Sequence, residues 1–429
     1  MKKALALAGG GTRGSYQNGA LRALREEGKD DFQIVTGTSI GALNAALVVQ
    51  KDYDAMDELW HTLTQDKIIN GAISTDFNFE TMINERNLLG SFFKNYIREQ
   101  GADISPMIER IHKLYNPKRF FASDIDFGCM CIHHGTLNPV YVTKEMMREH
   151  GEDWLIATAS AFPAFPVHRF SEGDYVDGGY FDNLPIDYAF RLGADEVIAV
   201  DLNNNPNHPE YIGRNCVTYV FPQIETGNFL SFDREKLDLL ESAGYNDMKK
   251  ALGVYTGVKY TFLKAPLPAY LPKLIKALMM LDFRIRHSVR LPENLAGPAE
   301  VIEKLRDQQK KKQLSDEEIF WGLMDNLMEL CGCDVAKVWT YEEARNAILA
   351  EFAPCAYEDY PYKPSIMPKD LYAYSRTLDT KGAVAKLVHG RVYPEHWLLT
   401  AQIRLTIYPF ELGLAELVLL MMKDLGGVE

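Results

Sequence analysis

Thr36-Gly-Thr-Ser-Ile-Gly-Ala-Leu-Asn44 is the stretch on which the reading of the fold turns. The residues before it, Phe32-Gln-Ile-Val35, are short, apolar and β-branched, the composition of a buried strand. The residues after it, Ser39 to Val49, are small and aliphatic on all sides, which predicts a buried helix. Between the two, Gly37-Thr-Ser-Ile-Gly41 has the form G-x-S-x-G. In a strand-turn-helix setting the glycines permit a sharp turn and close packing, and the Ser39 hydroxyl sits at a helix N-terminus. Five loosely specified positions also describe an ordinary glycine-flanked turn, so the pentapeptide needs support from elsewhere in the chain.

Upstream, residues 4–8 read as a first strand and Gly9-Gly-Gly-Thr-Arg-Gly14 as the loop that leaves it. Residues 15–27 then follow as a helix that ends before Gly28. The resulting order of strand, loop, helix, strand, turn and helix predicts an α/β fold, a mostly parallel sheet with helices on both faces. Successive glycines running into a helix start turn the N–H groups of Gly10, Gly11 and Thr12 toward one point. Both loops leave the same edge of such a sheet, so those donors face the Ser39 hydroxyl. With the N–H of Ile40 they form a candidate oxyanion hole for a tetrahedral acyl intermediate. Arg13 is expected to brace the loop. Asp177-Gly-Gly179 ends a further short strand, and Asn183-Leu-Pro185 opens the next helix. Taken alone, D-G-G marks a turn.

These three motifs, in this order, resemble the patatin-like phospholipase family. The family pattern is a G-G-G-x-[RK]-G loop, then G-x-S-x-G, then D-G-[GA]. Here these are Gly9, Gly10, Gly11, Arg13 and Gly14; Gly37, Ser39 and Gly41; and Asp177, Gly178 and Gly179. Ala157-Thr-Ala-Ser-Ala161 and Phe181-Asp-Asn-Leu-Pro185 fit the same resemblance, which covers residues 1–253. It implies a three-layer α/β/α acyl hydrolase with Ser39 as nucleophile and Asp177 as its general base, a dyad in place of a triad. It also implies a lipid or phospholipid ester as substrate, transient contact with a membrane surface, and no need for a metal or other cofactor. An ordinary carboxylate, with a pKa of about 3.9, is a poor match to an alcohol, so proton transfer is expected to accompany attack rather than precede it.

Three other readings compete. A Ser-His-Asp α/β-hydrolase would take its base from His168, His208, His287, His389 or His396, but only two strands precede Ser39 and the glycine loop follows the first of them. A dinucleotide-binding fold would also use the glycine loop, but it wants an acid at the end of the second strand. Asp30 and Asp31 precede that strand, and its end carries Thr36-Gly-Thr-Ser39. The third reading is a catalytically silent binding module on the same fold.

Composition sets the frame. With 429 residues, 47% apolar and 24% charged, the chain can bury a large core and is long enough for two domains. A net charge of −13 speaks against a nucleic-acid partner. The opening residues, Met1 to Ala8, carry an apolar stretch shorter than the about 7–15 residues of a signal peptide, and cytoplasmic placement is the expectation. From about residue 254 the pattern turns helical after Pro266, Pro268 and Pro272, so residues 254–429 are expected to form a mostly helical accessory domain. Ser315-Asp-Glu-Glu318 and Thr340-Tyr-Glu-Glu343 have the form of capping boxes, and Pro409 is expected to interrupt the last helical stretch. Residues 270–283 are apolar at helical spacing. They read either as a helix by which the C-terminal region packs onto the first domain or as one that lies on lipid. Cys129-Met-Cys131 and Cys331-Gly-Cys333 suggest a zinc or redox pair less than they suggest buried thiols, and His133-His134 suggest a hairpin end rather than a metal site.

Overall fold

The computed structural model describes residues 1–70, 102–288, 300–356, 379–393 and 408–426. The chain forms two compact units, Met1–Gly253 and Val254–Glu429.

In the first unit, β1 (Lys3–Leu7), β2 (Ile34–Thr38), β7 (Glu196–Val200) and β8 (Val217–Val220) run parallel in the order β2-β1-β7-β8. On the other side of β2 lies β3 (Asp126–His133), also parallel to it. Three antiparallel strands complete a mixed eight-stranded sheet: β4 (Pro139–Thr143), β5 (His168–Phe170) and β6 (Gly173–Asp177).

Neighbouring side chains of β2 show why helices cover both faces. The Thr36 hydroxyl donates to the Pro185 carbonyl at 2.9 Å, just ahead of α7 (Ile186–Arg191). Gly37 points the opposite way, as the pleat requires, into α2 (Ile40–Gln50). A Cβ on Gly37 would lie 2.5 Å from the Gly41 backbone, and one on Gly41 would lie 2.3 Å from the Leu7 carbonyl oxygen. Both positions therefore need glycine for the strand and helix to approach. On β3 the division repeats: Gly128 abuts the Tyr188 ring of α7, while the Cys131 thiol faces the Trp154 carbonyl of α6 (Met147–Thr158). The result is a three-layer α/β/α arrangement.

Two more helices close the unit, α1 (Ser15–Glu26) and α8 (Arg234–Ala251). They cross backbone to backbone. A Cβ on Gly19 would fall 1.8 Å from the Glu241 oxygen, and one on Gly244 would fall 1.9 Å from the Tyr16 oxygen. Tyr16 then donates to Asp247 at 2.7 Å across the same contact. The remaining helices are α3 (Tyr53–Thr62), α4 (Ser105–Leu114) and α5 (Pro117–Ala122). Residues 52–116 read from their sequence as mostly helical, and of these residues 71–101 lie outside the described residues.

Two boundaries differ from the sequence reading. The second strand starts and ends later than residues 32–35, because its pairing with β3 continues through Thr38 opposite Met130. The small-residue run Trp154–Phe162, whose pattern reads as a helix stopped by Pro163, is helical only as the end of Met147–Thr158, which stops where Thr158 and Ser160 turn to other backbone groups.

The second unit has a core of its own, built on α9 (Leu271–Ser288), α10 (Val301–Gln309), α11 (Asp316–Leu330), α12 (Tyr341–Phe352), α13 (Thr380–Val392) and α14 (Pro409–Asp424). Both capping boxes form: the Ser315 and Thr340 hydroxyls accept from the Glu318 and Glu343 N–H groups at 3.2 and 3.1 Å. Pro409 opens α14 in place of interrupting it, since the first turn needs no proline N–H. A small three-stranded sheet, β9 (Tyr255–Thr256), β10 (Thr261–Leu263) and β11 (Val338–Trp339), has no clear periodic signal in the sequence. Cys331 and Cys333 follow α11 as free thiols. The Pro/Tyr-rich stretch Pro354–Pro368 reads from the sequence as a loop, and its residues 357–368 are outside the described residues.

Candidate active site

β3 aligns the site. Its residues Gly128 to Met130 pair with β2 on one side and with β4 on the other. One step further, Cys131 and Ile132 still pair with β4, but their other side is taken by β6. The two strands thus meet head to head along one edge of β3. Thr38 lies opposite Met130 and Asp177 opposite Cys131, which brings Ser39, the residue after Thr38, to the tip of β6.

Ser39 stands alone at the corner between β2 and α2, with φ 54 and ψ −128. That left-handed conformation is unfavourable for a residue with a side chain and typical of a nucleophile held on a tight strand-to-helix turn. Its N–H donates to the Thr158 hydroxyl at 3.0 Å, and Thr158 in turn donates to the Met130 carbonyl at 2.6 Å. Two residues on, the Ser160 carbonyl accepts the Asp177 N–H at 2.9 Å. The segment Ala157-Thr-Ala-Ser-Ala161 therefore holds the backbone of both Ser39 and Asp177. The sequence marks this segment by resemblance alone. The specific parts of Thr158 and Ser160 depend on non-local backbone partners that no spacing reveals.

Asp177 is 1% exposed. Burial pushes its carboxyl up to about 7, against the Ser39 hydroxyl and the Gly179 N–H, which both hydrogen-bond to it and favour the charged form. The Gly179 bond is 2.7 Å. The expected poor match between an ordinary carboxylate and an alcohol is thereby corrected: removing water from Asp177 makes it a stronger base.

The glycine loop is tied in from two sides. Gly9 and Asn183 exchange bonds, Gly9 N–H to the Asn183 carbonyl at 2.9 Å and Asn183 Nδ2 to the Gly9 carbonyl at 3.0 Å. Arg13, 4% exposed, donates to the Gly227 carbonyl at 3.0 Å and to Asn203 Oδ1 at 2.9 Å, and so anchors the loop. Thr12 does not keep its expected role: its N–H goes to the Phe229 carbonyl at 2.7 Å, leaving it no proton to offer an oxyanion. Gly10, Gly11 and Ile40 have no backbone acceptor for their N–H groups among the described residues. Gly14 ends the loop as α1 begins, and Gly178 follows Asp177 in a short turn.

Ser39, Ile40 and Gly11 lie at one end of an apolar cleft of about 860 Å³, counted out to its open mouth. The stripe Ile40, Leu43, Leu47 and Gln50 of α2 forms one wall, and Met107, Ile111 and Leu114 of α4 form another. The spacing of three and four residues is that of one face of each helix. Gln50 donates to the Leu114 carbonyl at 3.1 Å at the end away from Ser39. Arg110 and Tyr115 add polar groups to the lining, and burial lowers the Arg110 pKa.

Of the histidines of the rival hydrolase reading, the two in the first unit are held by carboxylates other than Asp177. His168 bonds Asp153 at 2.9 Å. His208 bonds Asp182 at 3.0 Å and Glu210 at 3.1 Å, and these carboxylates push its pKa up to about 9. His287 bonds the Phe283 carbonyl in the second unit, His389 is buried there, and His396 lies outside the described residues. For the dinucleotide reading, Asp31 is on the surface, paired with Lys3 at 2.9 Å.

Residues 5–190 match the family model described as patatin-like phospholipase. Patatin-like phospholipase domain-containing protein 7 of Mus musculus is 30% identical over 208 residues, 47% of this chain and 14% of that protein. Lysophospholipase nte1 of Aspergillus terreus is 28% identical over 212 residues, 49% of this chain and 12% of that protein. The match thus spans about one seventh of the length of these relatives. VipD from Legionella pneumophila, a solved structure, aligns over 96% of this chain and 91% of its own at 13% identity and a TM-score of 0.38. Five of the eight strands, both glycine motifs and the D-G-G corner fall within residues 5–190 together with most of β1 and all of the Ser39 helix, and it is this part of the chain that matches the patatin-like phospholipase family model.

Proposed function

We propose that the first unit hydrolyses carboxylic esters of lipids through an acyl-serine intermediate. The observation that carries the reading is the Ser39 hydroxyl hydrogen-bonded to a buried, weakly acidic Asp177 at one end of an apolar cleft. Ser39 Oγ attacks the ester carbonyl while its proton passes to Asp177. The carbonyl oxygen becomes an oxyanion beside the Gly10, Gly11 and Ile40 N–H groups, the last two at the cleft lining. Collapse expels the alcohol, which takes up the proton from Asp177. Water then attacks the acyl-serine with Asp177 again as base, releasing the fatty acid and restoring Ser39.

The cleft follows α2 from Ile40 to Gln50, roughly 15 Å at 1.5 Å per residue, which suits a single acyl chain laid along the helix. A substrate with one such chain agrees with the lysophospholipase among the relatives. Labelling with a fluorophosphonate probe tests the proposal, with hydrolysis of a short-chain ester measured in parallel. Wild type is expected to label and turn over, Ser39→Ala to do neither, and Asp177→Asn to turn over at least about a hundredfold more slowly. Labelling that survives Ser39→Ala places the nucleophile elsewhere. A folded wild type that neither labels nor hydrolyses esters, with or without lipid vesicles, supports the silent binding module.

A further inference from the structure

Helix α9 is apolar on both faces. Leu271, Leu274, Ile275 and Leu278 form one stripe, buried in the core of the second unit, and Ile285 is buried on the same side. On the opposite side Met279 (56% exposed), Met280 (47%) and Phe283 (56%) stand open to solvent. Lone exposed apolar residues are ordinary, but three large ones within two helical turns form a patch. The charges on this side of the helix have one sign. Lys273, Lys276 and Arg284, three and eight residues apart, occupy the same side of the helix, and among the described residues none of them has an ion pair. Arg286 is held by Glu300. The sole carboxylate of α9, Asp282, is 5% exposed and turns inward, where it accepts the Val301 N–H at 2.9 Å and the Ile302 N–H at 3.2 Å to cap α10. A chain with a net charge of −13 thus presents an apolar strip edged by cations that no described carboxylate pairs.

We infer that this face of α9 lies on an anionic lipid bilayer, with Met279, Met280 and Phe283 at the level where acyl chains begin and the three cations at the phosphates. Side chains with apolar stems and charged tips suit that boundary. The charge pattern selects this occupant over a second copy of the chain, since two such faces brought together would oppose their cations. The long, partly exposed apolar side chains of the patch are those of a surface helix; none of the helices in the described residues is long and apolar enough to cross a membrane. The inference goes beyond the hydrolase reading and is tested without it.

The test uses the full chain carrying Ser39→Ala, so that no lipid is consumed, and measures co-sedimentation with vesicles of phosphatidylcholine alone or mixed with phosphatidylglycerol. The protein is expected to bind the mixed vesicles, to bind the neutral ones weakly, and to release as salt is raised. Lys273→Glu/Lys276→Glu/Arg284→Glu and Met279→Ser/Phe283→Ser are each expected to weaken binding by at least about tenfold without altering the melting temperature. In the chain with Ser39 intact, the same substitutions are expected to leave hydrolysis of a water-soluble ester unchanged, which separates failure of this inference from failure of the chemistry. Absence of binding to the mixed vesicles overturns it, as does binding that survives both sets of substitutions. It is also overturned if the protein is a dimer by light scattering that Met279→Ser/Phe283→Ser dissociates while vesicle binding persists.

Discussion

Replacing Asp177 by Asn should make the first unit more stable, and by an amount set by pH. In the folded chain the carboxyl has a pKa of about 7 against an ordinary 3.8. Below pH 3.8 the group is protonated in both folded and unfolded chains and contributes no difference. Between 3.8 and 7 the folded protein keeps a proton that the unfolded chain has released, so stability falls as pH rises, by about 1.4 kcal/mol per unit. Above 7 both forms are ionised and the whole penalty is present, on the order of 4 kcal/mol for a shift of roughly three units. Asn is neutral throughout and can still accept the Gly179 N–H. The melting temperature of Asp177→Asn should therefore match wild type near pH 4 and exceed it near pH 8 by on the order of ten degrees in the transition of the first unit. Calorimetry of both proteins from pH 4 to 8 makes the measurement. The same ionisation should appear in catalysis: kcat/KM for a soluble ester should rise about tenfold per unit below pH 7 and level off above it. A difference in melting temperature that does not change with pH would refute the argument that burial raises this carboxyl. So would a kinetic pKa near 4.

Thr158→Val removes the acceptor of the Ser39 N–H while keeping the shape, and should cost about 1–3 kcal/mol by denaturant melting and lower kcat more than it raises KM. Ser39→Gly abolishes ester hydrolysis yet relaxes the positive φ, and should stabilise the unit by about 1 kcal/mol at pH 5, where Asp177 holds its proton. Gly244→Ala drives a methyl group into the Tyr16 carbonyl and should destabilise by about 3 kcal/mol or more, read as a lowered melting temperature or loss of soluble protein.

The strand-turn-helix around Ser39 was legible because each piece is local: a β-branched run, two glycines and a small-residue helix. The capping boxes of α11 and α12 were legible for the same reason. What the sequence could not carry depends on partners far along the chain. The end of β2 is set by β3, some ninety positions later, and so fell beyond the apolar run that announced the strand. The spent N–H of Thr12 depends on Phe229, and the supporting parts of Thr158 and Ser160 depend on Ser39 and Asp177. The basicity of Asp177 is a property of the water excluded around it, which residue types alone do not encode. Helix α9 showed the reverse difficulty: its apolar spacing was plain, but only burial separates the stripe that builds a core from the one left outside.

The head-to-head meeting of β2 and β6 against one edge of β3 uncouples chain length from active-site geometry. Ser39 and Asp177 are each placed by hydrogen-bond register to adjacent residues of β3, so the number of residues joining them does not enter their separation. Between Gln50 and Asp126, and again in the parts of 143–173 outside Ala157–Ala161, the chain can gain or lose residues and still return the two side chains to the same point. A single residue inserted within Met130-Cys131 would do what such an insertion elsewhere does not, because it would part the two registers and turn one strand's side chains to the opposite face. Substrate range can thus be rebuilt by length changes in the connecting segments while the reacting groups stay fixed, and a lone indel in this strand is the change the arrangement cannot absorb.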